Sequence, residues 1–308
     1  MKKTTVTVAI SAYNEEQNIL AFLNSILKQK EEGFKLEKVL IFSDGSTDKT
    51  AEMANSLHSE KVLVIEDTNR IGKSSRLNQI YHALNSDILV QSDADVVFSH
   101  DLVIADLIKP LLNNKDVAMT GGNPYPLPGK TFVGKAVNCT FDAYVGLRQS
   151  VRGGNNVFSV DGRLLAYKKE LVKKIHVPSD MIANDAYTYF CCLTNGYKYK
   201  FVKSSVVLFT SPQTLKDQIR QNTRFLAAEV RMSKYFPKNI VRRESYIPRR
   251  LLINNMLKVF IKHPVMSTYI VVINRYCQLR ALAKEHSMTA LWDMANTTKQ
   301  VIKIRKNV

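Results

Sequence analysis

Along the first 120 residues the apolar positions alternate between two rhythms. Short aliphatic runs at 6–10 (Val-Thr-Val-Ala-Ile), 39–42, 62–65, 88–90 and 117–119 have the length and composition of buried strands. Between them, 15–28 (Ile19, Leu20, Leu23, Ile26, Leu27), 47–57, 74–84 and 101–108 carry apolar residues at helical spacing. Ser46 or Thr47 is placed to cap the second of these helices. The alternation predicts an α/β fold: a mostly parallel central sheet with helices on both faces. Ligands in such sheets bind beyond the carboxyl ends of the strands, so chemistry is expected in the loops that follow each strand.

The rhythm breaks over 121–163. Gly121-Gly122, Pro124, Pro126 and Pro128 predict a loop, followed by a helix over about 133–149 and a second loop at 152–156. A strand is expected at 164–166, a short helix at 189–193, and one or two strands within 200–209. After Ser211-Pro212, residues 214–304 read as helical, punctuated by Pro237, Pro248 and Pro264. The expected organisation is an α/β domain over 1–212 and a helical region over 213–308. Residues 213–236 would complete the site, and 237–308 would form basic amphipathic helices.

Charge sharpens this division. Residues 1–196 hold 22 Lys+Arg and 22 Asp+Glu, whereas 197–308 hold 22 Lys+Arg and 5 Asp+Glu, so the whole net charge of +17 lies in the last third. That asymmetry points to an anionic partner. The stretches 251–261 and 265–282 are apolar and edged by Arg249, Arg250, Lys258, Lys262, Arg275 and Arg280. Such helices lie on an anionic membrane surface, or pack on the domain or a second copy as a homodimer. No apolar run reaches 18 residues, and the N-terminus lacks the apolar core of a signal peptide. Four scattered cysteines, with Cys191-Cys192 read as a helix pair, suggest a reducing, cytoplasmic compartment. The six histidines show no ligand spacing for zinc, and no basic-aromatic motif for nucleic acid is present.

Clusters of polar residues follow the predicted strands. Ser11-Ala12-Tyr13-Asn14-Glu15-Glu16 offers Tyr13 for stacking on a planar base and Glu15 as a hydrogen-bond acceptor; it also suits a plain acidic helix start. Ser43-Asp44-Gly45-Ser46-Thr47-Asp48 puts Asp44 at a strand end, towards a bound nucleotide, although Asp-Gly-Ser is also a common turn. Asp93 and Asp95, two carboxylates at i and i+2, suit Mg2+ or Mn2+ bridging phosphates, the alternative being a solvated turn. Asp185, in Asn184-Asp185 at a helix opening, can serve as a general base or as a cap. Lys73 or Arg76, beside a helix N-terminus, can help to hold a phosphate. Gln221, Arg224 and Phe225 share one helical face, where Arg224 can neutralise a departing diphosphate.

Taken in order, these motifs resemble family 2 glycosyltransferases of GT-A fold over roughly residues 5–226. P-x-Y-N-E is matched by Ser11 to Glu15 with Ser for Pro, and D-D-G-S-x-D by Ser43 to Asp48 with Ser43 for the first Asp. G-K-x-x-A-L-N is matched by Gly72 to Asn78, D-x-D by Asp93-Ala94-Asp95, E-D by Asn184-Asp185, and Q-x-x-R-W by Gln221 to Phe225 with Phe for Trp. The resemblance implies an inverting transfer from a nucleotide-sugar donor, by default a UDP-sugar. Ser11, Tyr13, Glu15, Asp44, Lys73 and Asp93 would hold the donor. Asp93 and Asp95 would hold Mn2+ or Mg2+, and Asp185 would be the base. Gln221, Arg224 and Phe225 would border acceptor and diphosphate. Polysaccharide synthases with this last motif usually carry several membrane spans, which this chain does not show. The expected acceptor is therefore a membrane-presented glycan or lipid-linked sugar, served by a peripheral enzyme at the inner face of the cell membrane. No resemblance covers 227–308. A sugar-phosphate nucleotidyltransferase, which would want a Gly-rich basic loop after the first strand, and a non-catalytic anion- or membrane-binding protein are the competing readings.

Overall fold

The computed structural model of the chain describes residues 3–288 and 296–299. Its first half runs β1 (Thr4–Ala12), α1 (Ile19–Leu27), β2 (Phe34–Asp44), α2 (Thr50–Asn55), β3 (Val62–Asp67), α3 (Lys73–Ala83), β4 (Ile88–Ser92), β5 (Val96–Phe98), α4 (Val103–Asn113) and β6 (Val117–Pro126). It continues through α5 (Phe132–Ser150), β7 (Leu164–Lys168), α6 (Lys169–Val172), α7 (Asn184–Thr194) and β8 (Lys198–Phe209). The C-terminal helices are α8 (Leu215–Tyr235), α9 (Lys238–Glu244), α10 (Arg249–Lys262) and α11 (Pro264–Lys284). Parts of the predicted helical stretch at 289–295 and from 300 onwards lie outside the described residues.

One eight-stranded sheet has the order β3-β2-β1-β4-β7-β6-β8-β5. β3, β2, β1 and β4 are mutually parallel, β7 runs against both β4 and β6, and β8 is parallel to β6. Side chains alternate between two cores, as strands covered on both faces require. Val6, Val8, Ile10, Val39, Ile41 and Val90 pack with Phe22, Leu23 and Leu107 on one side. Ala9, Leu40, Phe42 and Leu89 pack with Leu77, Ile80 and Phe190 on the other.

Three local expectations change. The helix expected from Glu15 begins at Ile19, because Asn14 takes a left-handed φ of 53° and residues 15–18 form a turn. Ser46 and Thr47 do not cap α2; Asp48 Oδ1 accepts from Thr50 N–H (3.0 Å), and the two hydroxyl residues bond the loop after β1 instead. The Gly-Pro stretch at 121–126 is strand, not loop. A Cβ on Gly121 would lie 2.2 Å from Tyr199 Oη, and one on Gly122 would lie 2.8 Å from the Ser205 carbonyl, so these glycines admit β8 at close range. The three-residue β5, paired with the end of β8, had no signal of its own.

The C-terminal helices are fastened to the α/β body by buried charge. Arg231 of α8, 2% exposed, donates through Nε to Glu285 Oε1 (2.6 Å) just past α11, and through Nη1 to Asp180 Oδ2 (3.2 Å) before α7. Glu244 of α9 accepts from Tyr189 Oη (2.7 Å) and Arg152 Nη2 (2.5 Å).

Candidate active site

Ala12 pairs with Ser43 and Ile10 with Ser92, so β1, β2 and β4 end level and their loops emerge side by side. Ser11, half-buried, is the penultimate residue of β1. In the antiparallel β7, Leu164 lies opposite Ser92, which brings residues 161–163 to the same edge. Ser92 Oγ fixes the approach by donating to the Arg163 carbonyl (2.7 Å).

The Tyr13–Glu16 turn is laced to the loop after β2. Ser46 Oγ accepts from Asn14 N–H (3.1 Å), Thr50 Oγ1 from Glu15 N–H (2.7 Å), and Asp48 Oδ2 from Glu16 N–H (3.1 Å). Ser43, which stands where the family pattern has Asp, donates to Ser46 Oγ (3.0 Å) and so supports the same turn. Gly45, at φ 68°, leaves no room for a Cβ, which would meet Arg70 N at 2.8 Å. The Arg70 guanidinium carbon lies 4.0 Å from the Tyr13 ring centre, so a base would meet a ring already stacked on one face. The Glu15 carboxyl is pushed up to about 7 by burial, and by the charge of Asp95, against the lowering effect of Lys299 and Asn18.

Asp44 is buried and engaged by the segment that leads into α3. Its Oδ1 accepts from Ile71 N–H (2.8 Å) and Arg76 Nε (2.8 Å), and its Oδ2 from Gly72 N–H (3.0 Å). Arg76, 2% exposed, also donates to Asp67 Oδ2 (2.9 Å) and the Asn69 carbonyl (2.7 Å). Arg76 therefore holds this loop and not a phosphate, while Asp44 shapes the loop from beneath.

The charged centre joins Lys73, Asp93, Asp95, Asp161, Arg163, Asp185 and Arg224. Lys73 Nζ is ion-paired with Asp93 Oδ1. Burial and then the Asp93 charge push the Asp95 carboxyl up, while Arg163, Lys73 and Lys299 pull it down. Arg163 donates to Asp161 Oδ2 (2.8 Å) and lies 3.8 Å over the Phe209 ring. Burial works against its charge, but Asp161, Asp95 and Asp93 together raise its pKa.

Asp185, in the first turn of α7, accepts from Ala186 N–H at Oδ1 (2.9 Å) and from Gly162 N–H at Oδ2 (3.3 Å). Burial and Asp161 push its carboxyl up, and Lys73 and Arg224 oppose this. A Cβ at Gly162 would sit 3.6 Å from Lys73 Nζ and 3.9 Å from Asp185 Cβ, so this glycine leaves the space between them open. On α8, Arg224 is lowered by burial and sustained by Asp185, Asp93 and Asp95. Gln221 is half-buried; Phe225 is 53% exposed, with the Arg224 guanidinium carbon 5.4 Å from its ring centre.

Among the described residues no three His, Cys, Asp or Glu side chains converge as a metal cage. The Asp93/Asp95 pair nevertheless fits a hard divalent ion: burial and then the Asp93 charge, which together push Asp95 up, are both offset by an added cation, and phosphate and water would supply further oxygens. The sequence reading missed Asp161, Arg163, Arg70 and Lys299. Asp161-Gly162-Arg163 does stand directly before the apolar run 164–166, and an antiparallel pairing with the fourth strand would have placed it beside Asp93.

The Glycosyl transferase family 2 pattern matches residues 7–176. The poly-beta-1,6-N-acetyl-D-glucosamine synthase of Staphylococcus aureus is 24% identical over 224 residues, covering 71% of this chain and 53% of that protein. The synthase of the same name from Staphylococcus epidermidis is 24% identical over 241 residues, covering 75% and 57%. The chain thus spans about half the length of the curated relatives it matches. Among solved structures, a mannosyltransferase of Pyrobaculum calidifontis in complex with GDP-Man and Mn2+ superposes with a TM-score of 0.59 at 20% identity, covering 95% of this chain and 77% of that one. Glucosyl-3-phosphoglycerate synthase of Mycobacterium tuberculosis, in complex with Mn2+, UDP and phosphoglyceric acid, gives 0.51 at 18% identity, covering 73% and 78%. These likenesses establish the GT-A fold.

Proposed function

Because the chain belongs to glycosyl transferase family 2, we propose that it transfers a hexosyl or N-acetylhexosaminyl group from a nucleotide-diphosphate sugar to an acceptor hydroxyl with inversion. The observation that carries this reading is the meeting of Asp185 with Lys73, Arg224 and the Asp93/Asp95 pair at the carboxyl edge of the sheet. Ser11, Tyr13 and Glu15 line the nucleoside side, with Asp44 holding the loop beneath. Asp93 and Asp95 would hold Mn2+ or Mg2+, which when bound offsets charge on the diphosphate.

The Asp185 carboxylate takes the proton as the acceptor O–H bond breaks. Its raised pKa suits it to receive that proton. The acceptor oxygen attacks the anomeric carbon, and the bond from that carbon to the diphosphate oxygen breaks with its electron pair on the diphosphate. Lys73 and Arg224 stand where that charge develops. Gln221 and Phe225, on the same helix as Arg224, border the acceptor.

A donor screen tests the reading. Purified protein is given UDP-, GDP- and TDP-sugars with Mn2+, with Mg2+ or with chelator, and nucleoside diphosphate release is followed beside Asp93→Ala and Asp185→Ala. Release from a UDP-sugar that needs metal, is lost in Asp185→Ala, and shows weakened donor binding in Asp93→Ala is expected. Absence of donor binding by every member would overturn the reading.

The acceptor we favour is a glycan or lipid-linked sugar presented at the inner face of the cell membrane. Supporting it, α10 buries no side chain, and α10 and α11 expose Ile253, Ile261, Val265, Val272 and Leu282 beside Arg249, Arg250, Lys258 and Lys262. No helix among the described residues is long and apolar enough to cross a membrane. Flotation with anionic vesicles checks this. A protein that stays at the bottom and sediments as a dimer would assign the same face to a second copy.

A further inference from the structure

The segment Asn296–Lys299 returns to the mouth of the cleft from the far end of the sequence. Thr297 anchors it on α8: its N–H and Oγ1 both donate to Asp217 Oδ2 (3.0 and 2.6 Å), and its Oγ1 accepts from Gln213 N–H (3.1 Å). Two residues on, the Lys299 ammonium donates to the carbonyls of Tyr13 and Asn14 and lies 3.0 Å from Glu15 Oε1. The left-handed Asn14 helps to turn those two carbonyls towards one point. The three donors of the ammonium match these three acceptors, and the Lys299 side chain is 14% exposed. The strap thus ties the helix that carries Gln221 and Arg224 to the turn that carries Tyr13 and Glu15.

We propose that this strap completes the donor site, with Lys299 as a positioning residue that fixes the Tyr13–Glu15 turn for the nucleoside. The inference rests on the donor reading above. Its physical content is specific. The ammonium's three donors are taken up by the Tyr13 and Asn14 carbonyls and the Glu15 carboxyl, so it acts through the turn and not by gripping phosphate. Removing it would leave a buried Glu15 carboxylate without its cation and two carbonyls without their donor.

Calorimetric titration of the full chain in Mn2+ with UDP, GDP and TDP, and with the three matching nucleosides, tests this in Lys299→Met, Lys299→Arg and Thr297→Val. Hydrogen exchange at the amides of Asn14, Glu15 and Glu16 is measured alongside, and melting temperature controls for folding. Lys299→Met is expected to weaken the diphosphate bound by the wild type about tenfold. It should weaken the matching nucleoside by a similar factor and speed exchange in the turn. Lys299→Arg should keep most of the affinity, and Thr297→Val should fall between. Unchanged affinity in Lys299→Met would overturn the inference. So would tighter binding, which would make the strap a competitor of the donor, or a loss seen with the diphosphate alone, which would make Lys299 a phosphate contact. A wild type that binds none of the three diphosphates would overturn the donor reading itself.

Discussion

Asp185 and Glu15 are both carboxyls raised by burial, yet they answer to different partners. Asp185→Asn keeps the shape and removes the proton acceptor, so turnover should fall about 10²–10⁴-fold with nucleotide affinity unchanged; steady-state kinetics beside titration checks this. Glu15, at about 7, changes charge near neutrality. Nucleotide affinity should fall as the pH drops through about 7, where the carboxylate is lost, and Glu15→Gln should flatten that step. The stability effect has the opposite sense. The folded value lies above the ordinary 4.5, so ionising Glu15 works against the fold as pH rises from 4.5 towards 7. Gly162→Val should fold but lose turnover, because its methyls would enter the space shared by Lys73 and Asp185. Tyr13, Glu15, Asp93 and Asp185 were legible as candidates because each sits at the end of a strand or the opening of a helix, where local pattern marks position. Arg163 and Lys299 were not, since only a reversed strand and a returning strap bring them in.

Elements are held in place by pairs that hydrophobic pattern does not display. Arg76 on α3 and Asp44 at the end of β2 form a buried ion pair at 2.8 Å. Arg76→Ala would strand the carboxylate, and should cost about 3–5 kcal/mol in denaturant unfolding. The parallel half of the sheet was readable from its aliphatic runs. Of β6 only the start at 117–119 was: Gly121, Gly122, Pro124 and Pro126 spell a loop by propensity, and only the close approach of Tyr199 and Ser205 explains glycine inside a strand. Gly122→Ala should therefore destabilise by about 1–3 kcal/mol through overpacking against Leu164 and the β8 backbone. The start of α1 was misplaced because acidic residues at 15–16 suit a helix N-terminus, whereas here they belong to a turn fastened to Asp48 and Thr50.

At the scale of the molecule, a neutral α/β body carries a C-terminal third that holds all of the net charge of +17. That division was plain in the sequence. How the two parts join was not, because the joints are single buried side chains such as Arg231 and Glu244. If the exposed faces of α10 and α11 meet anionic lipid, vesicle binding should weaken with salt as the screening length shortens from about 30 Å at 0.01 M to about 8 Å at 0.15 M. The residual apolar part should persist. The Lys299 contact also sets an order of events during synthesis. Tyr13 is separated from Lys299 by 286 positions. At about 5–20 residues per second, translation reaches the lysine on the order of 15–60 s after the turn is made. In the last part of that interval, once residue 185 has been made, Glu15, Asp93, Asp95 and Asp185 all exist, but the cation beneath Glu15 does not. A nascent chain, or one clipped by a protease before residue 296, would carry its acids and still meet a nucleotide with an unfinished wall.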